Sequence, residues 1–246
     1  MRYFIELGYN GSNYAGFQIQ ANANTIQAEV EKVLSVLFRT SIALTGSSRT
    51  DAGVHAFQNY FHFDVEINFK QDYIYNLNAI LPKDIVVKSV FPVVEDAHCR
   101  FLALSREYTY FITAVKDPFS IDTAWYYPFA INLELLNEAA RILFDYVDYT
   151  SFSKRNTQAI TKDCTIMKSV WVQNDERLVF NIKANRFLRG MVRGLVGTML
   201  LVGRKKISLS DFEQIILSKD CTKVNFATPA HGLFLVEVAY PDTLRL

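Results

Sequence analysis

From Phe57 to Val65, apolar Phe57, Phe61, Phe63 and Val65, with Asn59, alternate with Gln58, Tyr60, His62 and Asp64. Side chains point to opposite faces at successive positions of a strand, so this period of two reads as one long β-strand. Its neighbours then set the fold class. Tyr3 to Tyr9 reads as a strand running into the turn-prone Asn10-Gly11-Ser12-Asn13. Asn24 with Gln27 three residues on is a capping-box arrangement, and Ile26, Val30, Val33, Leu34 and Leu37 share the helical face that follows. Ile42 to Thr45 returns as a strand, Tyr73 to Leu81 as a helix stopped by Pro82, and Ile85 to Val94 as a strand. The order β-α-β-β-α-β is the ferredoxin-like one.

A second set begins near Ser105. Tyr108 to Val115 reads as a strand, and Leu133 to Phe144 as an amphipathic helix with Leu136, Ala140 and Leu143 on one face. Ile166 to Val172 and Leu178 to Ala184 read as a strand pair around Asn174-Asp175. Phe187 to Val202 is predicted helical, Ser208 to Asp211 starts a short helix, and Leu233 to Tyr240 is a last strand. The expectation is an α+β protein of two ferredoxin-like halves, 1–104 and 105–246, around a largely antiparallel sheet. A cleft between the halves is then the natural site.

Composition narrows the function classes. Of 246 residues 50% are hydrophobic and 21% charged, which is the make-up of a folded chain and not of a disordered one. No apolar run approaches the roughly 20 residues that a membrane span needs, and the start lacks the apolar core of a signal peptide. Cys99, Cys164 and Cys221 are an odd, scattered set without a C-x-x-C pair, so the expected setting is a reducing cytoplasm. The net charge of +1 hides an asymmetry: Arg177, Lys183, Arg186, Arg189, Arg193, Arg204, Lys205 and Lys206 fall in one stretch without an acid. That local field suits a phosphate backbone; a solvated helix face is the plainer reading of the same charges.

Few residues stand out as carriers of chemistry. Asp51 sits on a turn of small residues that needs no acid to fold; it fits a nucleophile or base, and equally an Asx-turn. Tyr108 and Tyr110 share a strand face and fit either core aromatics or rings that stack on an extruded base. Arg189 and Arg193, four apart on an otherwise apolar predicted helix, fit a buried partner for a carboxylate or a basic surface. His55 and His62 lie seven apart on opposite strand faces with no third ligand nearby, so no metal site is expected. Asp145, Asp148 and Asp51 lack the tight spacing of a metal-dependent nuclease.

Arg49-Thr50-Asp51-Ala52-Gly53-Val54-His55 resembles the active-site motif of the TruA family of tRNA pseudouridine synthases. Further segments of the same pattern follow in order along almost the whole chain. They are Tyr9 to Gln18, Asn78 to Pro82, Ala97-His98-Cys99-Arg100-Phe101, Arg106-Glu107-Tyr108, Thr150-Ser151-Phe152, Met191-Val192-Arg193 and Pro229 to Leu233. Three departures are Gly46-Ser47-Ser48 for Gly-Ala-Gly, Phe17 for Trp, and Arg189-Gly190 where a His often precedes Met-Val-Arg. They leave the acid, the Tyr and the Arg intact and bear on how a stem-loop docks.

The resemblance implies an isomerase that converts uridine to pseudouridine at positions 38–40 of the tRNA anticodon stem-loop. It implies Asp51 as the essential catalytic residue, Arg193 as its counter-ion, and Tyr108, with Tyr110 as second choice, as the ring on the target base. Arg49 would take the place of the flipped base and Leu233 would line the substrate site. Arg189, Arg204, Lys205 and Lys206 would contact the RNA backbone. No cofactor is implied, in keeping with the absence of a P-loop or G-x-G-x-x-G segment. The expected partners are tRNA and a second copy of the chain in a homodimer, with neither DNA nor membrane. A non-catalytic RNA-binding protein of the same fold is the alternative.

Overall fold

The computed structural model describes residues 1–155, 160–174 and 177–244. They divide between two units, one of Met1–Ser105 with the segment from Phe234 on, the other of Arg106–Leu233. In the first unit β1 (Arg2–Tyr9) lies between β3 (His55–Asp64) and β4 (Ile85–Val93), antiparallel to both. The two-residue β2 (Thr45–Gly46) pairs with the far edge of β3 opposite His62 and Phe61. The order β4-β1-β3-β2 therefore threads β3 between β1 and β2, a split βαβ arrangement. Because β2 is so short, the start of that same edge is left for β9 (Leu233–Ala239), which runs parallel to β3 at His55 and Ala56. The last strand thus returns to the first unit, although its place in sequence put it with residues 105–246.

The period of two in β3 is real, but neither face is solvent. Phe61 packs on Phe17, and Phe63 on Tyr3 and on Phe38 of α1 (Ile26–Phe38). On the opposite face Tyr60 meets Tyr240, and His62 meets Phe4 and His98. The polar members of that face satisfy one another: Glu6 accepts from Gln58, Tyr60 and Ser89. The cap of α1 is Thr25, not Asn24; its hydroxyl accepts the Ala28 N–H. Both residues are able to cap, and the start of the helix is set by Ile26 entering the core. Gln27 does not close a capping box; its amide reaches Glu31 and the Leu44 carbonyl. α2 (Asp72–Ile80) stops ahead of Leu81-Pro82, and Asn78 brackets the backbone of Val87 on β4 with two hydrogen bonds.

The second unit repeats the split arrangement. β8 (Arg177–Ala184) lies between β5 (Ser105–Thr113) and β7 (Ile166–Asn174), antiparallel to both, with β6 (Trp125–Tyr126) parallel to β5. Asp175, expected in the β7–β8 turn, lies outside the described residues. α3 (Leu133–Ile142) buries Leu136, Ala139 and Ala140 against β7 and α4 (Met191–Gly203). The helix expected from Phe187 begins only at Met191, because Gly190 takes a left-handed φ of 74° just ahead of the first turn. α5 (Leu209–Leu217) starts from the reciprocal Ser208–Asp211 capping box. Among the described residues no helix is long and apolar enough to cross a membrane.

Candidate active site

Asp51 opens a tight turn. Its carbonyl accepts the Val54 N–H at 3.1 Å, and Gly53, the third residue, has a φ of 75°, as a type II turn requires. The turn is built against the segment from Tyr9 to Phe17. Phe17 N–H donates to the Thr50 carbonyl, Gly53 N–H to the Tyr14 carbonyl, and Gly11 N–H to Nδ1 of buried His55. A Cβ on Gly11 would lie 2.0 Å from the Val54 carbonyl oxygen, so only glycine allows this approach. His55 is further fixed by stacking on Phe234 at 4.4 Å between ring centres.

Below the turn runs a buried polar network. Asn59 donates to the Tyr9 hydroxyl and the Ser48 carbonyl and accepts from the Ser47 hydroxyl; the Tyr9 hydroxyl in turn pairs with that of Thr50 at 2.9 Å. Burial pushes the Tyr9 phenol up to about 12, so it stays protonated and keeps its place in the network. Ser48 and Thr50 both point inward, which throws Arg49 between them out into solvent, while Asp51 is half-buried. The Ser47 and Ser48 hydroxyls are buried too. This departure from Gly-Ala-Gly therefore acts on the scaffold and not as RNA-facing hydroxyls.

In the second unit, Arg193 stands near the start of α4, and its Nε–H donates to the Thr228 carbonyl at 2.7 Å, which fixes the plane of the guanidinium. The close approach of that segment depends on Gly197, where a Cβ would lie 2.3 Å from the Asn225 carbonyl oxygen. Tyr110 is fully enclosed, its hydroxyl donating to the Pro229 carbonyl, and burial pushes its phenol far up with a small opposing effect of the Arg193 charge. Tyr110, the second choice for the stacking ring, has no exposed face in this structure. Tyr108 is only half-buried, and its ring meets Phe187 edge-on at 5.2 Å. Leu233 is buried at the start of β9.

The basic residues do not form one stripe. Arg189 precedes α4, so it does not pair with Arg193 across a helical turn as the spacing predicted. Arg204, Lys205 and Lys206 lie at the other end of this 13-residue helix, about 20 Å away at ~1.5 Å per residue. Arg204 is packed, with its guanidinium 3.8 Å from the Phe129 ring centre and within reach of the Tyr127 hydroxyl. Lys205, at φ 57°, takes the left-handed position after the helix, and it and Lys206 are exposed. Asp148 is committed to Lys219 at 2.8 Å and to Thr150, which leaves it a poor metal ligand.

His62 has companions that strand spacing could not reveal. Its ligand atoms, those of His98 and the Cys99 sulfur lie within 4.8 Å of one another. Both Nδ1 atoms and the thiol are already engaged. His62 Nδ1 accepts the Cys99 N–H, His98 Nδ1 accepts the Arg100 N–H, and the Cys99 thiol donates to the Thr45 carbonyl. The positive charge of Arg2 acts on both imidazoles. The cluster is therefore a clamp on the 98–101 turn. The turn presents Arg100 and Phe101; the resemblance includes them in its Ala97-to-Phe101 segment but implied no site role for them, because only the fold shows them side by side on a held turn.

A family model described as tRNA pseudouridine synthase matches residues 139–241. A protein of Parabacteroides distasonis named tRNA pseudouridine synthase A is 47% identical over 99% of this chain and 97% of its own length. Proteins of the same name from Azobacteroides pseudotrichonymphae and Staphylococcus aureus are 45% and 36% identical. They align over 98% and 97% of this chain, and over 97% and 90% of their own lengths. A scaffolded Asp51 turn, a fixed Arg193 and full-length similarity agree, and the chain belongs to the tRNA pseudouridine synthase A family.

Proposed function

We propose that the protein isomerises uridine to pseudouridine at positions 38–40 of the tRNA anticodon stem-loop, with Asp51 as nucleophile or base. Uracil leaves the ribose through N1 and rejoins it through C5. Atoms and electrons balance within one nucleotide, so the reaction requires no redox partner or group donor. Attack on the ribose C1′, addition to the base C6 and proton removal from C2′ are the three steps open to a positioned carboxylate. In this reading Arg193 is the counter-ion of Asp51, Tyr108 stacks on the target base, and Leu233 lines the site. Each unit is read as a ferredoxin-like half, with the returning β9 added to the first. Arg49 fills the space that the flipped base leaves, offsetting the few kcal/mol that unstacking costs. Arg189, Lys205 and Lys206 contact the RNA backbone, and a cytoplasmic homodimer is the working form.

The observation that carries this reading is the Asp51 turn. Its neighbours Thr50 and Ser48 are tied into a buried network while Arg49 and Asp51 are left accessible. A network that fixes the residues flanking Arg49 sets where the Arg49 and Asp51 side chains project, which is what a positioned carboxylate requires. Incubation of the protein with unmodified tRNA transcripts in excess chelator, followed by pseudouridine mapping, tests it. Pseudouridine at positions 38–40 is expected. Binding without pseudouridine would leave a non-catalytic RNA-binding protein, and pseudouridine elsewhere would overturn the target assignment.

A further inference from the structure

In the first unit a pocket of about 170 Å³ opens beside Arg49. Gln18, Thr45, Arg49, His98, Arg100 and Phe101 are among its walls, and no acidic residue lines it. Two arginines without an acid make it attractive to phosphate. Its outer wall is the turn held by the histidine–cysteine clamp, reinforced by the Tyr240 hydroxyl donating to the Cys99 carbonyl at 2.5 Å. On that fixed turn Phe101 is 74% exposed, an apolar ring kept in water by the fold itself. One side of the ring meets His98 at 4.2 Å between centres, and Arg100 lies 5.9 Å from its centroid. An exposed ring, continuing a short ladder of rings and flanked by the Arg100 guanidinium, has the make-up of a single-strand stacking platform.

We propose that this pocket receives an unstacked nucleotide of the tRNA strand next to the target uridine, its base against Phe101 and its phosphate on Arg100. The proposal rests on tRNA being the substrate and adds to that reading a second nucleotide site, outside the one around Asp51. A space of this size admits one planar ring system and not a base pair, so its occupant is a loop nucleotide or one freed by flipping. Buried Ser48 and Thr50 fix Arg49 relative to the pocket, and Thr45, whose carbonyl takes the Cys99 thiol, joins the two walls. The pocket is therefore lined by Arg49, two residues before Asp51.

The test is the dissociation constant of an unmodified tRNA transcript, measured over a range of salt for the wild type and for Phe101→Ala, Phe101→Trp and Arg100→Gln. Phe101→Ala is expected to weaken binding about tenfold, with Phe101→Trp within about twofold of the wild type, because any large ring supplies the stack. Arg100→Gln is expected to weaken binding and to lower the slope of log affinity against log salt by about one, the value for one phosphate contact. Both side chains are exposed, so unchanged thermal melting confirms that folding is intact. Affinity within twofold of the wild type for Phe101→Ala and Arg100→Gln would overturn the proposal. So would loss of binding in Phe101→Trp as severe as in the alanine variant. Pseudouridine formation by the wild type, assayed alongside, separates the two readings. Turnover with Phe101 indifferent refutes the pocket alone, and Phe101-dependent binding without turnover refutes the isomerase alone.

Discussion

His62 is the residue whose environment differs most plainly from what its sequence neighbours suggest. It lies on β3 with Phe4 against its ring and the Cys99 N–H on its Nδ1. Burial first, then the charges of Arg2 and His98, push its pKa down from the ordinary 6.5 to about 4. As pH falls, the unfolded chain takes up the proton first. The His62 contribution to stability is therefore complete above pH 6.5 and declines until about pH 4. Urea-unfolding midpoints measured across that window should fall more steeply for the wild type than for His62→Gln; parallel curves would show that His62 does not titrate this way. Both the exposed and the enclosed functional residues can be understood at this scale. Asp51 was legible because its turn chemistry is local: Gly53 supplies the positive φ, and the small residues around it are adjacent in sequence. The clamp was not legible, because His62 and Cys99 are brought together only by the path of the chain after β4.

At the scale of elements, helices and long strands followed from periodicity, while their ends depended on contacts that no window of sequence contains. Thr25 caps α1 in place of Asn24, and Gly190 delays α4 by several residues. The two-residue β2 and β6 have no room for a period at all. The carbonyl that holds Arg193 comes from Thr228, 35 residues downstream, on a segment with no regular structure of its own. The end of α4 carries a prediction of the same kind. Arg204 packs on Phe129 whereas Lys205 and Lys206 face solvent, so one basic triplet has two roles. Lys205→Gln with Lys206→Gln should reduce the salt slope of tRNA binding by roughly one to two and leave stability within about 0.5 kcal/mol. Arg204→Ala should cost about 0.5–2 kcal/mol in urea unfolding through the lost cation–π contact. An unchanged salt slope in the double variant would remove this end of α4 from the RNA surface.

For the whole molecule, the order of elements predicted two β-α-β-β-α-β sets, and each unit does thread one strand between two others. What order alone could not say is that β9, last in the chain, pairs with β3 of the first unit. A strand carries no mark of its partner, and here the vacancy beside the short β2 decides it. The motif residues fall on both units, Arg49 and Asp51 on the first, Tyr108 and Arg193 on the second. No single motif therefore holds all of the candidate site residues. The central claim is that the Asp51 carboxylate performs the chemistry while the surrounding turn only holds it. The most direct measurement is pseudouridine formation by Asp51→Asn on a tRNA transcript, with tRNA affinity measured on the same preparation. The account predicts no detectable product and an affinity within a few-fold of the wild type; turnover retained by that variant would contradict it.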